Sequence, residues 1–387
     1  SIMSYTDVAP RFGLSYDLTG DAKNVIHIGL GRYYEKMTTE GYSVLLPGLG
    51  NITYYMALWD HAPDLSAAGL AALPSLVLTE DNYAGELPMS TVYMSTHPTV
   101  LSADPKVHSP YSDMLNIRLD RELLEDLSFS LEFIHRWDRD LLNYLINAEH
   151  TYAPNIYTEP TTGKTIMVWT RTDSNEDTYT LSNSSWAKRN HDFVIMTLNK
   201  RDNGTWSMMA SATYQNSRGN IDNQYWAGGR LDGASGDPNY AGNQLLWGKL
   251  SFNRTWQFKL MGAYHAPLGI NLSGDLRVLS GLAWATQINS SLTGYDLIFS
   301  TLLLEKRGCH EMPWSWSLDL RVSKDFRLGA SKIELMADLL NVFNRDNATS
   351  VGLSPYSVYP ISGTSAYGKV MSLETPFQDR FGVRWVF

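Results

Sequence analysis

The 387-residue chain contains one cysteine, Cys309. A disulfide framework is therefore excluded, and so is a zinc site built from several cysteines. No run approaches the roughly 18 consecutive apolar residues of a membrane-spanning helix. Cations are in the minority: 31 Lys and Arg against 40 Asp and Glu leave a formal net charge of -9. That balance argues against a nucleic-acid partner and offers no basic face to anionic lipid. Catalytic signatures are missing too. There is no Gly-x-Ser-x-Gly, no His-Glu-x-x-His and no phosphate loop. Glu125-Asp126 and Glu176-Asp177 are adjacent carboxylates with no spacing that sets them opposite one another, so turn and surface roles are expected. No catalytic residue, cofactor or metal is expected.

Aromatic residues are plentiful, at 12% of the chain, with 22 Tyr and 12 Trp. These types collect at membrane–water interfaces. The rest of the composition, 43% hydrophobic and 18% charged, resembles that of a water-soluble protein. A transmembrane β-barrel has this balance because apolar and polar residues alternate along each strand.

Period-two alternation is what the chain displays. Trp314, Trp316, Leu318, Leu320 and Val322 interleave with Ser315, Ser317, Asp319, Arg321 and Ser323. Successive side chains of a strand point to opposite faces, so one face here is continuously apolar and the other charged. The pattern recurs at Phe12–Tyr16, Leu127–Ile134, Trp206–Gln215 and Trp256–His265, and less cleanly at Ile333–Asn344. Several apolar stripes begin or end on an aromatic residue, as interfacial girdles require. Short polar connections (residues 19–24, 121–126, 200–205, 267–269 and 325–331) alternate with long ones (38–110, 138–188, 217–253, 282–312 and 345–377). Outer-membrane barrels place short turns on the periplasmic side and long loops outside, whereas a soluble sandwich has no reason to gather every long loop at one end. A strand is expected at 164–171 within the second long loop, and a short helix or hairpin within the first.

The count is about eleven strands, an odd number, whereas single-chain bacterial barrels have an even one. An open half barrel would leave unpaired edges in lipid, so an N-terminal half, covalent or separate, is expected. The start at Ser1-Ile2-Met3-Ser4 carries no signal peptide and reads as a cut inside a longer protein.

The last residues, Arg380 to Phe387, carry a polar residue, Gly382, Trp385 and a terminal Phe387. They resemble the signal on the last strand that barrel-assembly machinery reads. Leu318 to Phe326 and Ile333 to Asn344, the latter ending Leu340-Asn341-Val342-Phe343-Asn344, resemble the penultimate strands of TonB-dependent outer-membrane receptors. Ala9 to Asp21 with Gly31-Arg32-Tyr33-Tyr34-Glu35 is similar to a mid-barrel hairpin of the Oar-like group. The resemblance covers most strands and little of the loops. It implies an all-β fold: an antiparallel transmembrane barrel of which residues 1–387 are the C-terminal part, about eleven strands of about 22. It also implies a plug and N-terminal strands outside this chain, a TonB complex engaged through the plug, outer-membrane lipid as surroundings, and energised import of a solute. An adhesion, export or surface-assembly role is the alternative.

The polar strand faces, Glu132, Gln257, Lys259, Asp275, Arg277, Asp319 and Arg321, are expected to point into the lumen. The loop aromatics Tyr54, Tyr55, Trp59, Tyr225, Trp226 and Tyr240 are candidates to stack on a ligand or to pack the loops. Cys309-His310-Glu311 is the chain's one Cys/His cluster, and Asp232 to Asp237 has partial calcium-loop spacing. Both are expected to be ordinary solvated loop, for want of further ligands.

Overall fold

The structure, a computed structural model, describes residues 7–35, 54–58, 91–95, 100–146, 150–173, 175, 178–222, 237–239, 243–289, 301–329, 331–353 and 367–387. Its main element is a meander of eleven strands: β1 (Arg11–Asp17), β2 (Asn24–Tyr34), β3 (Tyr111–Leu124), β4 (Leu127–Arg139), β5 (Arg189–Lys200), β6 (Trp206–Gly219), β7 (Trp256–Ala266), β8 (Ile270–Leu279), β9 (Ser315–Leu328), β10 (Ser331–Leu340) and β11 (Gln378–Val386). Each pairs antiparallel with the next in sequence. β3, β6 and β9 are each 14 residues long, more than the roughly 9–11 that a tilted strand needs to cross a bilayer. Among the described residues the only helices are two 3₁₀ turns of three residues, and no helix is long and apolar enough to cross a membrane.

The register carries the alternation across the sheet. Leu260 sits opposite Ala210 and Leu276, and Leu276 opposite Leu318. One residue along, Met261 faces Met209 and Asp275, and Asp275 faces Asp319. A slip of one residue in any pair would swap these faces, so the pattern fixes the register. On the apolar face large side chains stand in the open: Leu260 is 43% exposed and Leu335 44%. A continuous patch of this kind is a liability in water and a requirement in hydrocarbon.

Two aromatic belts bound this face. At the short-turn end are Trp206, Tyr264, Phe326 and Trp385. At the long-loop end Tyr214, Trp256, Phe258 and Trp314 run in a row with ring centroids 5.0, 6.1 and 6.5 Å apart.

Two connections are tighter than the sequence indicates. β3 and β4 are linked by residues 125–126 rather than 121–126, and β9 and β10 by 329–330 rather than 325–331. Backbone pairing continues past the apolar stripe, because ladder hydrogen bonds do not depend on side-chain polarity. β10 stops at Leu340, so Phe343 belongs to a turn held by positive-φ Asn341 and Asn344. Its ring still lies 5.2 Å from Trp316 in the aromatic belt. The expected strand near 164–171 is present as Thr165–Arg171, paired with Tyr152–Thr158. In the first long loop Tyr54–Leu58 pairs with Thr91–Ser95.

Candidate functional site

The charged face lines a concavity whose walls include Met209, Met261, Ser273, Asp275, Asp319, Arg321, Asp338 and Arg380. Six of the seven polar residues expected there pair locally. Asn116 Nδ2 donates to Glu132 at 2.6 Å, and Gln257 Nε2 donates to Gln215 at 3.2 Å. Arg277 donates to Asp275 through Nε and Nη2, at 2.9 and 2.5 Å. Asp319 Oδ1 accepts the Asn341 amide at 2.8 Å. Arg321 grips Asp338 with two parallel bonds, 2.5 and 2.8 Å, the geometry that suits a planar guanidinium. Lys259 is exposed, level with Ser211 and Arg277 across the strands.

Higher on the same face is a polar knot that no sequence motif marks. Asp138, 1% exposed, accepts from Ser112 Oγ at 2.7 Å and Arg136 Nε at 2.6 Å. Its other oxygen lies 3.1 Å from both Arg189 Nε and His191 Nε2, and His191 Nδ1 meets Ser217 Oγ at 2.9 Å. A carboxylate so nearly dry is tolerable only with partners of this kind. The signal was available: Arg136, Asp138, Arg189, His191 and Ser217 continue the inward parity of β4, β5 and β6 past the apolar stripe.

Beyond the strands the long loops share a core of their own. Tyr157, Ile166 and Val168 from one loop, Leu246 from the next, and Ile288, Leu302 and Leu304 from a third form one buried cluster. Polar clasps join the same segments. Asn239 receives the Trp169 N–H and donates to the Trp169 carbonyl, both at 2.8 Å. Arg307 Nε donates to the Leu246 carbonyl at 2.8 Å, and its Nη1 pairs with Asp222. Lys164 bonds Glu305, and Tyr367, from the last long loop, meets Thr286 at 2.7 Å. Gly248 is required where β6, a short strand and the third loop converge, because a Cβ there would overlap the Arg307 carbonyl.

Within this layer Cys309 and His310 are joined by Glu305, not by the adjacent Glu311. The carboxylate oxygen, thiol sulfur and imidazole nitrogen of the trio lie within 4.8 Å of one another. Glu311 turns away to Lys249, because neighbouring residues of a strand face opposite ways. Burial alone would raise the Glu305 pKa, but hydrogen bonds from Lys164 and Thr286 and the nearby His310 bring it down to about 2. Burial, and then the charge of Glu305, push the Cys309 thiol up to about 11.

Of the loop aromatics, Tyr54 and Tyr55 lie in a paired strand, while Trp59, Tyr225, Trp226 and Tyr240 lie outside the described residues, as do Glu176-Asp177 and Asp232 to Gly236. Asp126 takes a turn role: it accepts from Lys200 across the β5 end. On β11, Arg380 faces Asp338 across the strands, Gly382 packs on Met336, and Trp385 stands exposed with its ring 5.9 Å from that of Phe387, just past the strand end.

The chain is similar in fold to solved outer-membrane proteins. It overlays the outer membrane transporter YddB from Escherichia coli at 12% identity and TM-score 0.53, covering 98% of this chain and 40% of that one. For a mutant of the ferric enterobactin receptor PfeA from Pseudomonas aeruginosa the identity is 12%, the TM-score 0.51, and the coverage 97% and 39%. The chain thus spans about 40% of the length of such structures. No curated protein matches its sequence. Over residues 2–295 it matches the family described as outer membrane beta barrel domain. Strand pattern, girdles and family match agree, and the chain belongs to the outer-membrane β-barrel domain family.

Proposed function

We propose that this chain is the C-terminal part of a TonB-dependent receptor of the Oar-like group, which binds a solute in its extracellular loops and imports it with TonB-supplied energy. The observation that carries the reading is the shared core of the loops. Three loops that lock onto one another make a rigid platform, and binding residues borne on loops need such a scaffold. The paired charges along the lumenal face suit a surface that contacts a plug or water rather than lipid. Among the described residues β1 and β11 each pair on one side only, which suits closure by an N-terminal half into a barrel of about 22 strands around that plug. β11, with Arg380, Gly382 and Trp385, and Phe387 after it supply the recognition signal for barrel-assembly machinery.

The test uses the intact protein purified from outer membranes. Its binding to the periplasmic domain of TonB is measured by pull-down, and the upstream sequence is read by peptide mapping. An N-terminal plug segment that captures TonB supports import. A complete chain that binds no TonB contradicts it and favours a surface-assembly role.

A further inference from the structure

The loop ladder beside Cys309 is interrupted. Gln287–Asn289 pairs with Thr301–Leu303, and Ala283–Trp284 with His310–Glu311. Between these pairs, residues 285–286 on one side face residues 304–309 on the other. Extra residues in one strand re-aim side chains, and such bulges concentrate at functional sites. Here the excursion turns back through Gly308, at φ 63°, with the Cys309 amide donating to the Lys306 carbonyl at 3.2 Å. The turn sets Cys309 above Glu305 and delivers His310 beside both.

We infer that Glu305, Cys309 and His310 form a site for a divalent transition metal of borderline softness, with Zn²⁺ the best match. One thiolate, one imidazole and one carboxylate are a donor set for zinc-like ions and a poor one for Ca²⁺ or Mg²⁺, which take oxygen ligands. His310 Nε2 lies 2.7 Å from Glu305 Oε1, yet the pair lacks hydrogen-bond alignment and Nε2 is buried. With the thiol, these ligand atoms lie within 4.8 Å of one another, close enough for one cation to bridge them.

The surroundings resemble the outer hydrogen bonds that orient metal ligands. The Thr286 amide donates to Glu305 Oε1 at 2.8 Å and the Thr286 hydroxyl bonds the same oxygen. The His310 ring is held 4.6 Å from that of Trp284. Lys164 sits on the other carboxylate oxygen, where it balances the charge and competes with a cation. Binding displaces the thiol proton to solvent, since a thiolate is the ligand and a bound cation reverses the local charge balance. Three protein ligands leave a fourth position to water. The sequence alone predicts a solvated loop here for want of further ligands; Glu305, four residues before Cys309, is the added ligand on which the proposal stands. It rests on loop geometry alone and is independent of TonB.

The experiment follows alkylation of Cys309 in the intact detergent-purified protein by peptide mass spectrometry, with and without Zn²⁺. Zinc slows the reaction by about tenfold or more, and Ca²⁺ does not. His310→Ala and Glu305→Gln each weaken the protection by about tenfold. If Glu305→Gln loosens the loops, judged by protease sensitivity, His310→Ala decides, because that ring is 41% exposed and lies outside the loop core. Equal alkylation rates with and without zinc overturn the proposal. So does protection that survives His310→Ala, since the thiol would then bind zinc by itself.

Discussion

At the scale of single residues, charge placement decides what the loops tolerate. Glu305 has a depressed pKa of about 2 against an ordinary value of 4.5. Its stabilisation is therefore present above about pH 4.5 and is lost as the pH falls toward 2. A shift of this size amounts to on the order of 3 kcal/mol for a carboxylate that is 15% exposed. Protease cleavage within 140–188 and 280–314 is expected to stay slow at pH 5 and to rise between pH 4 and 2, while Lys164→Ala shows faster cleavage already at pH 7. A profile flat from pH 5 to 2 in the wild type would contradict the assignment. This scale was the least legible in the sequence. Cys309-His310 was visible as a cluster, but its carboxylate partner depends on a strand excursion that no spacing rule encodes. The Asp138 knot is hidden for a different reason: its residues keep the inward parity but lie past the end of the apolar stripe that marks each strand.

At the scale of elements the chain is far more transparent. A strand that presents one face to lipid and one to a polar lumen must alternate, and period two is visible without a structure. Lys259 and Leu260 are neighbours with opposite fates for this reason. Leu260→Arg places a cation on the apolar face and is expected to cost about 2–4 kcal/mol. Met261→Arg, on the lumenal face between Met209 and Asp275, is expected to cost little. Urea unfolding of the two variants in detergent or lipid should separate them, and equal losses would mean that the faces are misassigned. The loop layer is a second unit. Ile288→Ala, at a position 1% exposed, removes part of its core and is expected to destabilise the layer by about 2–5 kcal/mol. Loop cleavage should rise while the strand content, read by circular dichroism, is unchanged. The contacts behind this core were not legible, because Tyr157, Leu246 and Leu302 lie far apart in sequence and their loops lack a repeating pattern.

At the scale of the whole molecule, alternating connection lengths carried the topology. Every long connection falls at one end of the sheet and every short one at the other, as the strand order requires. The strand count was readable because each strand pairs only with its sequence neighbours along the meander. The central claim is that this sheet crosses the outer membrane with its long loops outside. The most direct test is labelling of cysteines on intact cells with a membrane-impermeant maleimide. Cys309, exposed in the third loop of the layer, is compared with a cysteine introduced by Asn203→Cys in the β5–β6 turn of a Cys309→Ser background. Without added zinc Cys309 is expected to react on intact cells, and the turn position only after the outer membrane is permeabilised. Labelling of the turn position on intact cells would contradict the account, whatever the reactivity of Cys309.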